Sequence, residues 1–334
     1  MSAGARILDG RPVAAAIRAE VAAGVAELVA RGCRPPGLAA VLVGENPASE
    51  AYVASKAKAC AEVGIAGSVL RLPASAAQAD LAGLVDRLNA DEAVDGILVQ
   101  LPLPAQMAER EVLDLVSPAK DVDGFHPQSV GRLWLDEPGF VPATPLGVLE
   151  LLRRSDIPLA GRHAVVVGRS AIVGKPAAAL LLRAGCTVSI CHSQTRDLAA
   201  VTRQADLLVV AVGRPALIGP DHVQEGAVVI DVGINRVTDP ALVERLFPGD
   251  EARREQLSRR GSTIVGDVDF TRVALRAAAI TPVPGGVGLL TVAMLLVNTL
   301  AAARLRQGLA PEFPGTSAGT RAAAGVAAIS GGVL

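Results

Sequence analysis

Residues His163–Ser193, HAVVVGRSAIVGKPAAALLLRAGCTVSICHS, constrain this chain more than any other stretch, because they read as strand, glycine turn, helix and strand. Ala164 to Val167 form the continuous apolar run of a parallel strand buried on both faces. Gly168 and Gly174 bracket the turn, and Pro176 stands where a first helical residue can lack its N–H. Backbone N–H groups at such a helix start attract a pyrophosphate. The spacing is not G-x-G-x-x-G, so a helix-capping turn without a ligand competes with a dinucleotide site, and the βαβ context favours the site. The second strand, Thr187 to Cys191, ends in Cys191, His192, Ser193, Gln194 and Thr195 with no carboxylate to meet a ribose 2′-hydroxyl. Arg169 and Ser193 would instead welcome a 2′-phosphate, which selects NADP over NAD.

The 334 residues suggest two domains, and 51% hydrophobic content leaves material for two cores. A net charge of −1 gives no electrostatic footprint for nucleic acid or an anionic membrane. Cys33, Cys60, Cys186 and Cys191 lack zinc-ligand spacing, and Arg6, Asp9 and Arg11 leave no apolar signal-peptide region, so a cytoplasmic protein is expected. Gly286 to Ala303 approaches transmembrane length, but Thr291, Asn298, Thr299 and the preceding Pro-Gly-Gly turn better fit a buried soluble helix.

Helical stretches over 12–31, 49–63 and 76–89 alternate with apolar strands over 38–43, 68–72 and 96–101, which argues for a parallel sheet with right-handed crossovers. A connecting helix over 146–154 leads into the nucleotide unit, which continues through strands at 207–212 and 228–232. Residues 239–262 are charged and weakly periodic, which predicts a loop with a short helix. A turn-rich joint over 281–288 precedes a final helix over 289–305, and beyond Gly308 the composition reads as a disordered tail.

Ser49, Tyr52, Lys56 and Cys60 follow one another by three, four and four residues and so share a helix face. A lone lysine is usually a solvated charge, but burial beside a polar partner would depress its pKa and make it a usable acid or base. Gln100 could be that partner, since it ends the strand Gly96–Val99 where ligands of open α/β sheets gather. Lys120-Asp121-Val122-Asp123-Gly124 places two carboxylates in a turn; its glycine is in the wrong register for a calcium loop. A plain Asx turn and a carboxylate set to accept the N–H donors of a heterocycle both remain open. Thr281–Gly288, TPVPGGVG, is too bare of side chains for catalysis and suits close backbone approach to a ligand. No histidine has a nucleophile at an evident elbow and no H-E-x-x-H occurs, so triads and metal sites are unsupported.

SEAYVASKAKAC, VDGILVQLPLP, KDVDGF, GRSAIVGKP, DVGIN, GDVDF and TPVPGGVG occur in this order, and together they closely resemble the bifunctional methylenetetrahydrofolate dehydrogenase/methenyltetrahydrofolate cyclohydrolase family over about residues 5–305. The resemblance implies an α/β protein of two domains flanking a cleft: a folate-binding catalytic domain (1–145 plus 285–307, the final helix returning to it) and a Rossmann-like NADP domain (146–284), with 308–334 a tail. It implies a homodimer acting on a folate with NADP, with Lys56, Gln100 and Asp123 as catalytic residues and Tyr52, Pro284, Gly285 and Gly286 against the substrate. Gly168, Arg169, Ser170, Ser193 and Ile234 fall on its cofactor positions. The family motif continues with proline where this chain has Leu289, and the tail has no family counterpart. Oxidising a methylene bridge between two nitrogens needs no strong base, only placement, whereas hydrolysing the methenyl product needs proton handling, the part for Lys56 with Gln100. A dehydrogenase of another small metabolite, such as a shikimate-type or amino-acid enzyme, and a non-catalytic NADP-binding regulator are the rival readings.

Overall fold

A computed structural model describes residues 4–313. The chain enters through β1 (Arg6–Ile7) and α1 (Gly10–Ala30), then runs β2 (Gly37–Val43), α2 (Pro47–Glu62), β3 (Ala66–Leu72), α3 (Gln78–Ala90) and β4 (Gly96–Val99). Short helices α4 (Glu109–Leu113) and α5 (Pro127–Trp134) lead to the connecting α6 (Ala143–Arg154). Next come β5 (His163–Val167), α7 (Gly174–Arg183), β6 (Thr187–Cys191), α8 (Leu198–Thr202), β7 (Leu207–Val210) and β8 (Val228–Asp231). The remainder is β9 (Asn235–Val237), α9 (Pro240–Leu246), α10 (Glu251–Arg260), β10 (Thr263–Val265), α11 (Phe270–Val273), β11 (Ala279–Ile280) and α12 (Val287–Arg306).

Two parallel sheets result, as the buried apolar runs require. One is three-stranded in the order β3-β2-β4; the other is six-stranded, β1-β11-β8-β7-β5-β6; β9 and β10 form a separate antiparallel pair. All seven residues of β2 are buried, and so are all four of β7. The final helix is a core element: twelve of its residues, from Val287 to Ala303, are buried, and it packs on α6, α1 and α2. Its length and hydropathy would allow it to cross a membrane, but two-thirds of its apolar window is covered by the rest of the protein.

Three expectations change. Residues 6–7, grouped by sequence with the first domain, pair instead with β11 at the edge of the second sheet, where Arg6 N donates to Ala278 O and Leu8 N to Ile280 O. A two-residue strand carries no periodic signal. Residues 239–262 hold two helices rather than one. Asp239 and Asp250 cap them by accepting from Ala241 N and Arg253 N, and Gly261, at φ 66°, ends the second. Helix α10 has no buried residue, which is why apolar periodicity missed it. Finally, the expected tail begins with docked residues: Leu309 and Phe313 pack against the core, and Phe313 meets Phe140 edge to face at 5.3 Å. The rest of the predicted tail, 314–334, lies outside the described residues.

Candidate active site

Asn46 starts α2 by accepting from Ala48 N and Ser49 N, with Pro47 in the first turn, and this fixes the rotation of the helix. Ser49, Lys56 and Cys60 then face inward, while Tyr52 stands 37% exposed at the rim. Gln100 still belongs to the sheet register, its N–H donating to Val41 O, so its side chain leaves the carboxyl end of β4. Lys56 Nζ donates to Gln100 Oε1 at 3.0 Å, and Gln100 Nε2 donates to Leu101 O. Lys56 is thus 8% exposed as a residue, and its ammonium has one neutral acceptor. Burial pulls Lys56 below the usual lysine range, opposed by the charges of Asp123 and Cys60. Burial pushes the Asp123 carboxyl up to about 7, against the pull of Lys56 and with a further rise from Asp121. The Cys60 thiol is pushed up to about 11 by burial, so it is a packing group.

The two acids of the KDVDG turn divide their work. Asp121 is 4% exposed and accepts from Phe125 N, His126 N and Ser129 Oγ, which makes it the structural Asx residue. Lys120 is a buried staple whose Nζ donates to Leu88 O and Asp91 O, carbonyls at the end of α3. Asp123 is left to face Lys56. From the far side, Asn298 of α12 donates to Val122 O and Val141 O, fixing the peptide before Asp123.

The turn 281–286 is built by close backbone contacts. Gly10 N donates to Gly285 O, and a Cβ on Gly10 would lie 2.1 Å from Gly286 O. Gly285 has φ 110°, which only glycine adopts readily, and Pro284 is exposed beside it. Leu289 stands 42% exposed in the first turn of α12. A proline there would cost no helical hydrogen bond, so leucine in its place alters the side chain without altering the helix.

Across the cleft, the Gly168 N–H donates to Cys191 O, and a Cβ on Gly168 would lie 2.2 Å from Ala211 O. The turn is thus pressed onto the ends of β6 and β7. Ser170 Oγ accepts from Val173 N and Gly174 N, and Ser170 O accepts from Lys175 N. The N–H groups expected to meet a pyrophosphate at the start of α7 are therefore already capped, and Pro176 has none. The amides of residues 169–172 have no partner among the described residues, nor does the exposed Arg169 side chain. Those amides, Arg169 and the exposed Ser193 make a donor set suited to phosphate oxygens. The nearest acid along the chain, Asp197, is spent capping α8 through Ala200 N. Ile234 is 48% exposed and reaches the other wall, its Cδ1 3.4 Å from where a Gly288 Cβ would stand.

Sequence reading singled out DVGIN and GDVDF without giving their acids a task. Asp231 accepts from Gly233 N, Asp267 N and Val268 N. Asp267 accepts from Val212 N, Gly213 N, Arg214 N and Asn235 Nδ2. Both carboxylates hold the loops after β7 and β8, and glycines at 233 and 266 give them room, since a Cβ on Gly266 would lie 1.8 Å from Asp231 Oδ2. An acid one or two residues from a glycine was the available signal. Among the described residues no cluster of ligating side chains could hold a metal.

The profile of the tetrahydrofolate dehydrogenase/cyclohydrolase catalytic domain matches residues 8–123, and that of the family's NAD(P)-binding domain matches 142–307. The chain is 57% identical over 304 residues to the bifunctional protein FolD of Koribacter versatilis, covering 91% of this chain and 98% of that one. Among solved structures, the bifunctional FolD of Campylobacter jejuni is 47% identical with a TM-score of 0.81, covering 90% and 99% of the two chains. The Trypanosoma brucei enzyme, solved with NADP cofactor and an inhibitor, is 40% identical with a TM-score of 0.82, covering 91% and 98%. Matches through both halves do not favour a dehydrogenase of another metabolite or a cofactor-binding regulator. With both domain profiles and relatives above half identity over nearly their whole length, the chain belongs to the tetrahydrofolate dehydrogenase/cyclohydrolase family.

Proposed function

We propose that this protein oxidises 5,10-methylenetetrahydrofolate to the 5,10-methenyl compound with NADP and hydrolyses that product to 10-formyltetrahydrofolate, both in the cleft lined by Lys56, Gln100, Asp123 and the turn 284–286. The observation that carries the reading is the buried Lys56–Gln100 contact beside Asp123. Asp123 accepts N–H groups of the pterin ring, Tyr52 covers the ring system at the rim, and Pro284, Gly285 and Gly286 let the folate approach backbone. The amides of 169–172, Ser170, Arg169 and Ser193 hold the cofactor phosphates, Gly168 gives the turn its path, and Ile234 faces the cofactor from the cleft wall. When bound, NADP supplies the hydride acceptor. The chain's own part in that step is placement, since the two nitrogens flanking the methylene carbon stabilise the cation formed.

In the hydrolysis, water oxygen bonds to the methenyl carbon and loses a proton. The carbon–N5 bond then breaks as the resulting hydroxyl gives up its proton to become the formyl C=O and N5 takes one up, leaving the formyl group on N10. Lys56, its ammonium destabilised by burial and steered by Gln100 Oε1, moves the proton between the water-derived oxygen and N5. Mixing the enzyme with methylenetetrahydrofolate and NADP+ should show methenyl absorbance rising and then decaying to the formyl compound. No reduction of NADP+, or methenyl product that persists at its uncatalysed rate of decay, would overturn one or the other activity. Relationship to the family also supports a homodimer, and four free cysteines suit a cytoplasmic setting. Sedimentation at micromolar concentration tests the dimer.

A further inference from the structure

Helix α10 has no fully buried residue and packs mainly through Leu257, yet Arg253 leaves it for the interior. One guanidinium nitrogen donates to Ile264 O at 2.7 Å, and the other donates to Val283 O at 2.8 Å. Its carbon lies 3.7 Å over the Phe247 ring, and Nε is 3.3 Å from Asp250 Oδ2. The charge is therefore balanced and the fork is fixed in one orientation. Val283 is the residue before Pro284, which has no N–H, so the carbonyl of Val283 is the handle by which this side of the turn can be held. On the other side Gly10 N holds Gly285 O. Beside this contact a cavity of about 290 Å³ is bounded by Phe247, Arg253, Phe270, Pro282 and Val283.

We propose that Arg253 is a positioning residue for the folate-contacting turn, and that the segment 239–262 serves to hold its guanidinium between β10 and Val283. This rests on the reading that residues 284–286 touch folate. The cavity makes the contact hard to replace, because truncating Arg253 enlarges open space instead of letting neighbours collapse onto the turn. A displaced turn moves the folate relative to Lys56 and to the cofactor wall, so both reactions suffer together.

The test is steady-state kinetics of both reactions with Arg253→Ala, Arg253→Lys and Gly285→Ala, alongside NADP+ binding measured without folate. Arg253→Ala should lower kcat/KM for the folate roughly ten- to hundredfold in both reactions, mainly through KM, with NADP+ affinity within about twofold. Arg253→Lys, which can reach one carbonyl at a time, should recover part of the loss. Amide exchange at Gly285 and Gly286 should quicken in Arg253→Ala. If that variant does not fold, Phe247→Leu, which removes the stacking ring and keeps both hydrogen bonds, should show the same pattern at smaller size. Folate KM unchanged in Arg253→Ala, or folate and NADP+ affinities falling in parallel, overturns the proposal. Gly285→Ala separates the two ideas: if it raises folate KM while Arg253→Ala does not, the clamp is wrong and the turn's contact stands. If neither moves it, the turn's contact with folate is wrong as well.

Discussion

Replacing Lys56 with methionine keeps the length of the side chain and removes one buried cation. The loss includes the hydrogen bond to Gln100 Oε1, about 1.5–3 kcal/mol for a charge-assisted pair. Against it stands the relief of no longer desolvating the ammonium of a buried lysine, so the two effects offset and the melting temperature should change by only a few degrees. Activity should not be offset. Without a group to move protons, hydrolysis of methenyltetrahydrofolate should fall by ~10²–10⁴-fold, while NADP+ binds as before at the distant glycine turn. A second consequence is specific to this geometry. The Asp123 carboxyl, at about 7, is held down by Lys56, so its removal moves that titration higher. In the proposed role Asp123 accepts pterin N–H groups as a carboxylate, so folate KM should rise as pH falls through about 7 in the parent enzyme, and through a higher pH in Lys56→Met. The assay is methenyl absorbance decay across pH 5.5–9 together with a cofactor titration. Hydrolysis surviving within a few-fold, or a KM limb that does not move, would refute the reasoning.

Asp123→Asn should flatten the pH dependence of folate KM, because no group remains to titrate there; a limb still centred near 7 would assign it elsewhere. Arg169→Ala should erase most of the preference for NADP+ over NAD+, roughly ten- to hundredfold, chiefly through KM for NADP+; an undiminished preference would remove Arg169 from the phosphate site. Asn298→Leu leaves the carbonyls of Val122 and Val141 without donors and should cost roughly 2–4 kcal/mol in denaturant unfolding, with a raised folate KM because Asp123 follows Val122. Phe313→Ala should lower stability by about 1–2 kcal/mol through the lost contact with Phe140; no change would mean that residues 309–313 do not dock in solution.

What the sequence made legible follows its periods. The buried runs of β2, β4, β5 and β7 and the long helices α1 and α12 are written in apolar spacing, and the i, i+4 relation of Tyr52 and Lys56 carried over directly. Gln100 was legible because a polar residue ends an apolar strand. Lost to the reading were features whose partners lie far along the chain. Ser170 gave no sign that it would cap the helix start expected to hold a phosphate, since that depends on the path of the turn after Gly168. The pairing of β1 with β11 joins residues more than 270 apart and rests on backbone groups alone. Arg253 looked like one more charge in a charged run, and only the fold brings Val283 to it.

The first strand has a consequence for cutting the molecule apart. The chain opens in the six-stranded sheet, passes at once to α1 beside the three-stranded one, returns through α6 and ends in α12 against α1. Neither half is therefore a continuous piece of sequence. A fragment covering 146–284 would expose β11 as a bare edge where β1 belongs, and a fragment covering 8–145 would present the faces of α1 and α2 that α12 covers. The two sheets should melt as a single cooperative unit, and separate expression of either half should give chains prone to pair with one another through the vacated strand position.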